Sequence, residues 1–366
     1  MRLTNYWWLL IWLFAAGAIL HYYPKKYVKV NGHYEPRWDW IPAIILAAPY
    51  VIWAGYRGDI SDTGLYRKLF LELPSDISQI PSFFVNDVKD PGFSVVQILI
   101  KNVIGNNDEL FFLIVALFQI VLIIWIFRKY SKYYWLCLFL FISSTDYISW
   151  MQNGMRQFIA ICMIFACTNW IVEKKYLPTI GIILLASSIH QSALLMIPII
   201  FLVQGEAWNL KTLLFLVATM VVMIYVDRFT PILNDMLQST QYDDMMTNEI
   251  WTNDDGTNMI RVLVYSVPAL MSLVGLRYVR EINNPLINVC VNCAIVTMAL
   301  YGVASVSSGI YIGRLPMYTT LQGYIALPWL IEHMFTRKSA QFVTFAMVGL
   351  FVVFFYFQMG LTWGLL

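Results

Sequence analysis

The chain has 366 residues, 59% hydrophobic and only 13% charged, against roughly 25% charged in a soluble domain. That balance excludes a soluble enzyme and predicts an all-α polytopic membrane protein, built as a single integral membrane domain over residues 1–366. The net charge of +2 says little, because charge in a membrane protein matters by side rather than in sum, and no nucleic-acid partner is expected.

Apolar runs able to cross about 30 Å of hydrocarbon begin at residues 6–22 and 40–54. The first, with Arg2 ahead of it and Ala15-Ala16-Gly17-Ala18 near its end, has marks of a cleaved signal peptide. Its Trp-rich body and the lack of a following soluble domain favour a retained helix. A loop over 55–108 then opens with Gly55-Tyr56-Arg57-Gly58-Asp59-Ile60-Ser61-Asp62-Thr63-Gly64-Leu65-Tyr66, a polar set with an aromatic ring suited to sugar stacking. Asp59 and Asp62 suit a sugar hydroxyl or a divalent metal, but two acids in a loop are weak support for a metal, and a solvated loop accounts for Asp59 equally well. Later in the loop, Lys89-Asp90-Pro91-Gly92-Phe93 precedes an amphipathic run, Phe93–Val103, of the kind that lies along an interface.

Runs at 109–127, 133–150 and 154–172 follow. Asn153-Gly154-Met155-Arg156-Gln157-Phe158-Ile159-Ala160 puts Asn153, Arg156, Gln157 and Ala160 on one face of a continuous helix. A guanidinium there engages two oxygens of a phosphate at once. The alternative is a buried arginine paired to a carboxylate, with Asp146 as the partner. The next run, 177–203, has one polar break, Ile189-His190-Gln191-Ser192. It reads either as a continuous tilted helix or as two halves of about 20 Å that enter and return, which is tolerated where the break lines a protein-enclosed cavity. A neutral imidazole at such a break can take a proton from a hydroxyl. A hydrogen-bonded structural histidine is the plain alternative.

The remaining runs are 211–226, 260–279, 286–306, 315–333 and 341–362, with an acid-rich loop over 227–259. Arg261 opens the run that follows this loop. Cys290-x-x-Cys293 lies inside an apolar run with no second pair, so it reads as core, like Cys137, Cys162 and Cys167. In Ser307-Ser308-Gly309-Ile310-Tyr311-Ile312-Gly313-Arg314-Leu315-Pro316-Met317-Tyr318, two glycines loosen the backbone. Pro316 sits in a first helical turn, and Arg314 and Tyr318 share a face.

Lys25, Lys26 and Lys29, then Arg128, Lys129 and Lys132, then Lys174 and Lys175, then Arg277 and Arg280, then Arg337 and Lys338 mark cytoplasmic loops. The loops 55–108 and 227–259 then lie outside. Alternation holds throughout only if 177–203 enters and returns, giving about 11–12 transmembrane segments. Arg57, Arg156, Arg261 and Arg314 then all fall at outer ends, with His190 at the deepest point of the broken segment. One juxtamembrane arginine is an ordinary interfacial residue. Four on the side of the wrong sign imply an anion.

Taken in order, Arg57, Asp62 and Tyr66, then Pro91-Gly92-Phe93, then Asn153, Arg156, Gln157 and Ala160, then His190, Ser192 and Ala193, then Arg314 and Tyr318 resemble the EpsG family of Wzy-type polysaccharide polymerases. The stretch 23–39 is longer than that pattern leads one to expect. The resemblance implies polymerisation of undecaprenyl-diphosphate-linked oligosaccharide repeat units at the outer face of the bacterial plasma membrane, for exopolysaccharide or capsule. Its partners would be the lipid-linked oligosaccharide, the growing polysaccharide, the lipid bilayer and other polysaccharide-assembly proteins. In this reading Arg156 and His190 are catalytic, with His190 taking the proton of the attacking hydroxyl. Arg57, Asp62, Tyr66, Asn153, Gln157, Ser192, Arg261, Arg314 and Tyr318 hold diphosphate or sugar, Arg261 by location alone. Arginines supply the charge, so no metal or other cofactor is required.

Two other readings stay open. One is a glycosyltransferase using a polyprenyl-phosphate sugar, with Asp59 or Asp62 as its carboxylate. The other is a lipid-linked oligosaccharide transporter, for which charges reachable from both sides and internal repeats would be expected.

Overall fold

The computed structural model of the chain describes residues 5–30, 33–85, 90–226, 256–310 and 312–366. The expected acidic loop over 227–259 therefore lies almost wholly outside the described residues. The chain forms two compact units, one of Met1–Asn169, Leu177–Leu194 and Phe335–Leu366, the other of Trp170–Tyr176 and Leu195–Met334.

In chain order the elements are α1 (Trp7–Leu20), a hairpin of β1 (Lys26–Val30) and β2 (His33–Arg37), α2 (Trp40–Gly55), α3 (Thr63–Glu72), α4 (Ile80–Val85), α5 (Pro91–Ile104), α6 (Asp108–Tyr130), α7 (Tyr134–Ser143), α8 (Met155–Ala166), α9 (Thr168–Val172) and α10 (Tyr176–Ile189). They continue with α11 (Met196–Leu202), α12 (Leu210–Ile224), α13 (Met259–Val274), α14 (Leu276–Ile282), α15 (Pro285–Ser305), α16 (Met317–Met334) and α17 (Arg337–Tyr356). The build is that of an all-α membrane protein. The apolar runs fold largely as helix, yet among the described residues only Asp108–Tyr130, Pro285–Ser305 and Arg337–Thr362 are individually long and apolar enough to cross a membrane. The pair α13 and α14, bent by 68° at Gly275, makes a fourth if counted as one.

Two further runs break where local chemistry favours it. The run 133–150 leaves the α-helix after Ser143, passes through Thr145 in the left-handed region (φ +70°) and winds into a π-helical turn, Tyr147–Asn153. Helix α8 starts afresh behind Gly154. Asn153 therefore lies outside α8 and does not share a helix face with Arg156, Gln157 and Ala160, a correction to the sequence expectation. The run 177–203 breaks at His190: α10 stops at Ile189, a 3-10 turn spans Gln191–Leu195, and α11 follows. The helix over this run is thus interrupted at His190.

Lipid offers no hydrophobic drive between helices, so close packing and polar contacts hold them. In the first unit, aromatic donors reach carbonyls of neighbouring helices. Tyr50 donates to Leu9 O (2.7 Å), Tyr134 to Ala43 O (3.0 Å), Tyr147 to Tyr50 O (2.6 Å) and Trp135 Nε1 to Leu13 O (2.9 Å). Such interhelical bonds contribute on average about 0.6 kcal/mol each. Gly17 permits the last, since a Cβ there would lie 2.1 Å from the Trp135 indole nitrogen. Helix α6 carries Asn107 as its N-cap, Asp108 and Glu109 in its first turn and Arg128 and Lys129 in its last, all matched to the helix dipole. The hairpin, which the sequence reading did not anticipate, is tied to α6 at its base: Arg37 Nε donates to Lys129 O (3.1 Å) and Arg128 to Trp38 O (3.2 Å).

In the second unit α15 packs against α12, α13 and α16. Its two buried asparagines, four residues apart, hold the turn before α12. Asn292 Nδ2 donates to Val203 O (3.0 Å) and Glu206 O (3.2 Å), and its Oδ1 accepts from Trp208 N (3.2 Å). Asn288 Oδ1 accepts from Ala207 N (3.3 Å). Cys290 and Cys293 are buried and form no disulfide.

Candidate functional site in the first unit

Arg156 begins on the first turn of α8, a quarter of its side chain exposed, and its Nη1 lies 3.0 Å from Asp90 Oδ2. Its guanidinium stands 5.9 Å from the ring of Tyr66 on α3 and 5.9 Å from that of Phe93 on α5. Those two rings pack edge to face, 6.0 Å apart. The arginine is thus held to one buried carboxylate and flanked by two rings. The sequence had offered Asp146 as a carboxylate partner; Asp146 sits ahead of the π-helical turn, where its Oδ1 accepts from Trp150 Nε1 (3.3 Å).

One residue on, Gln157 points into the unit. Its Nε2 donates to Ser192 Oγ (3.4 Å), and Ser192 Oγ lies 2.7 Å from His190 Nδ1. The helix break produces this chain. With α10 ended, the 3-10 turn brings Ser192 back beside His190, and Ala193 N donates to His190 O (3.0 Å). The start of α5 presses on the same place: a Cβ on Gly92 would lie 2.3 Å from Ser188 Oγ and 2.8 Å from the Ser188 backbone. Pro91-Gly92-Phe93 is therefore a contact motif joining α5 to the end of α10.

Arg57 is buried, 3% exposed. Its Nη1 donates to Met151 O (2.9 Å), its Nη2 reaches Met155 Sδ (3.5 Å), and its guanidinium lies over Phe112 at 4.0 Å. Burial draws its pKa down to about 10, which still leaves it charged at neutral pH. Tyr66, Phe93, Phe112, Met155 and Ile189 share one hydrophobic cluster, so Arg57 and Arg156 stand against different rings of the same cluster. Asn153 closes the π-helical turn, half-buried. Asp62 is half-exposed at the start of α3 and makes no capping bond, while Asp59 is bound to Arg67, which also holds Asp108.

The first unit thus brings together Arg57, Tyr66, Arg156, Gln157, His190 and Ser192. Arg261, Arg314 and Tyr318 belong to the second unit. There Arg261 stands 5.6 Å from the Tyr265 ring in the first turn of α13. Arg314 ends a 3-10 turn, Ile312–Arg314, ahead of α16, so it does not share a helix face with Tyr318 as expected. The glycines of this segment serve close approach: a Cβ on Gly309 would lie 2.8 Å from Gly256 C, and one on Gly313 2.7 Å from Thr257 Oγ1. The segment carrying Arg314 consequently lies against the residues that lead into α13 and Arg261.

Asp90 and Gln119 escaped the sequence reading. Asp90 is separated from Arg156 by 66 positions, and no periodicity links them. Gln119 donates from mid-α6 to Met155 O (3.2 Å). A polar residue inside an apolar run was the only available signal. Among the described residues, no group of three or more His, Cys, Asp or Glu side chains is placed to hold a metal ion.

The model of the EpsG family matches residues 40–362, nearly the whole chain and the whole of this site; the hairpin precedes the match. No curated protein and no solved structure matches the chain.

Proposed function

The chain belongs to the EpsG family, which is associated with polysaccharide polymerase activity in membranes, and from that premise we propose that it joins undecaprenyl-diphosphate-linked oligosaccharide repeat units at the outer face of the bacterial plasma membrane. The observation that carries the reading is the pairing of a ring-flanked, part-exposed Arg156 with the adjoining Gln157–Ser192–His190 chain. In this reading an acceptor hydroxyl oxygen attacks the anomeric carbon of the donor. The bond from that carbon to the phosphate oxygen breaks, and the lipid diphosphate leaves with the electron pair. Arg156 holds the leaving diphosphate through a guanidinium edge, and the buried Arg57 adds positive charge; fixed charge of this kind stabilises the departing anion without reorganisation.

His190 takes the hydroxyl proton. Its Nε2 has a lone pair only if the ring proton sits on Nδ1, and Nδ1–H then donates to Ser192 Oγ. Gln157 Nε2 donates to that serine and leaves its second lone pair to accept from Nδ1–H, the arrangement that the base tautomer uses. Asp59, engaged by Arg67, is poorly suited to serve as the base of a monophosphate-dependent transferase.

The test is elongation. Purified protein in detergent, given diphosphate-linked repeat units and no gradient, should produce a ladder of longer products by mass spectrometry. A ladder excludes a pure transporter, and its absence from folded protein overturns the proposal. For the outer face, cysteine placed at the exposed Ser75 should react with a membrane-impermeant reagent from outside the cell, and cysteine at Ser339 only from inside. The reverse pattern would refute that orientation.

A further inference from the structure

Asp90 breaks a local rule. An aspartate just ahead of a helix ordinarily turns its carboxylate onto the first backbone N–H groups. Asp90 precedes α5 and makes no such bond. Its backbone sits instead in the left-handed region (φ +54°, ψ +57°), which few residues other than glycine adopt, aspartate and asparagine among them. That conformation sends the carboxylate, 1% exposed, to Arg156 Nη1 at 3.0 Å. The following Pro91 fixes the start of α5, Gly92 lies hard against Ser188, and Phe93 flanks the guanidinium. The backbone that carries the carboxylate is therefore anchored on its α5 side, while Arg156 keeps a quarter of its side chain open.

We propose that Asp90 is a positioning residue that fixes one edge of the Arg156 guanidinium so that the other edge is presented to the substrate's diphosphate. This rests on the reading of Arg156 as the diphosphate-binding group. A planar guanidinium carries five donors in a rigid fork and can hold a carboxylate on one edge and a phosphate on another. An arginine held this way meets the anion with less side-chain freedom left to lose. Asp90 acts through Arg156 and does not touch the substrate.

The probe is farnesyl diphosphate, bound to the purified full-length protein in detergent, with thermal unfolding as the check on folding. Arg156→Ala should weaken binding. Asp90→Asn should weaken it about tenfold, and Asp90→Gly likewise; glycine suits the left-handed backbone, so that variant keeps the turn even where the asparagine variant fails to fold. The double variant Asp90→Asn with Arg156→Ala should bind no more weakly than Arg156→Ala alone, because a group acting only through Arg156 has nothing left to position. A merely structural role would add its own loss in the double variant and overturns the proposal. Wild-type affinity in a folded Asp90 variant, with affinity lost in Arg156→Ala, overturns the positioning role and leaves the reading of Arg156 intact. Wild-type affinity in Arg156→Ala removes that reading, and the positioning role with it.

Discussion

Replacing Lys101 with methionine keeps most of the apolar stem of the side chain and removes its ammonium group. That group, on a residue 5% exposed, donates to Phe70 O (2.9 Å), Leu71 O (2.8 Å) and Leu73 O (2.5 Å), carbonyls at the end of α3. Leaving buried acceptors of a charged donor unmatched costs about 1.5–3 kcal/mol. The lost cation at a helix C-terminus adds up to about 2 kcal/mol, and release from desolvating the ammonium offsets part of the sum. A net loss of about 2–3 kcal/mol in the docking of α3 onto α5 follows, or roughly 30–150-fold faster local opening. Helix α3 carries Tyr66, so loosening it withdraws one of the two rings flanking Arg156. Hydrogen exchange on wild-type and Lys101→Met protein should show that acceleration at amides 66–73 and little change in α15, with a fall in polymerisation. Unchanged protection over 66–73 would refute the argument that Lys101 secures α3.

Ser192→Ala removes the partner that biases the His190 tautomer, and turnover should fall about tenfold with KM little changed; a rise in KM alone would place Ser192 on the substrate instead. Gly92→Ala should abolish most activity, and Ser188→Gly should fail to rescue it, because the Ser188 backbone atoms 2.8 Å from the added methyl remain; rescue would mean that only the Ser188 hydroxyl was in the way. Asn292→Ala strips the turn before α12 of three hydrogen-bond partners and should lower stability by about 2–4 kcal/mol, seen as an earlier thermal unfolding midpoint; an unchanged midpoint would contradict that role.

The helices were legible because a membrane helix must satisfy its backbone internally and so needs an unbroken apolar run. The break at His190 was legible for the same reason, as the one polar interruption in 177–203. The π-helical turn Tyr147–Asn153 was not, since an apolar stretch reads alike whether wound as α or π helix, and this misplaced Asn153. At the site, Arg156, Gln157, His190 and Ser192 were found from spacing and polarity. Their couplings were partly hidden: the Gln157–Ser192 bond joins elements 35 residues apart, and Asp90 lies 66 positions from Arg156 with no periodicity to link them. The two-unit division, which assigns Arg261 and Arg314 apart from Arg156, arises from long-range packing that no local pattern reports.

The central claim is that chain growth runs through His190 and Arg156 rather than through a carboxylate of the first loop. It is tested most directly by the product lengths made by purified His190→Ala, Arg156→Ala and Asp62→Asn proteins from diphosphate-linked repeat units. The account predicts that the first two make almost no product beyond a single repeat unit while Asp62→Asn still makes a ladder. A ladder from His190→Ala, with none from Asp62→Asn, would contradict it.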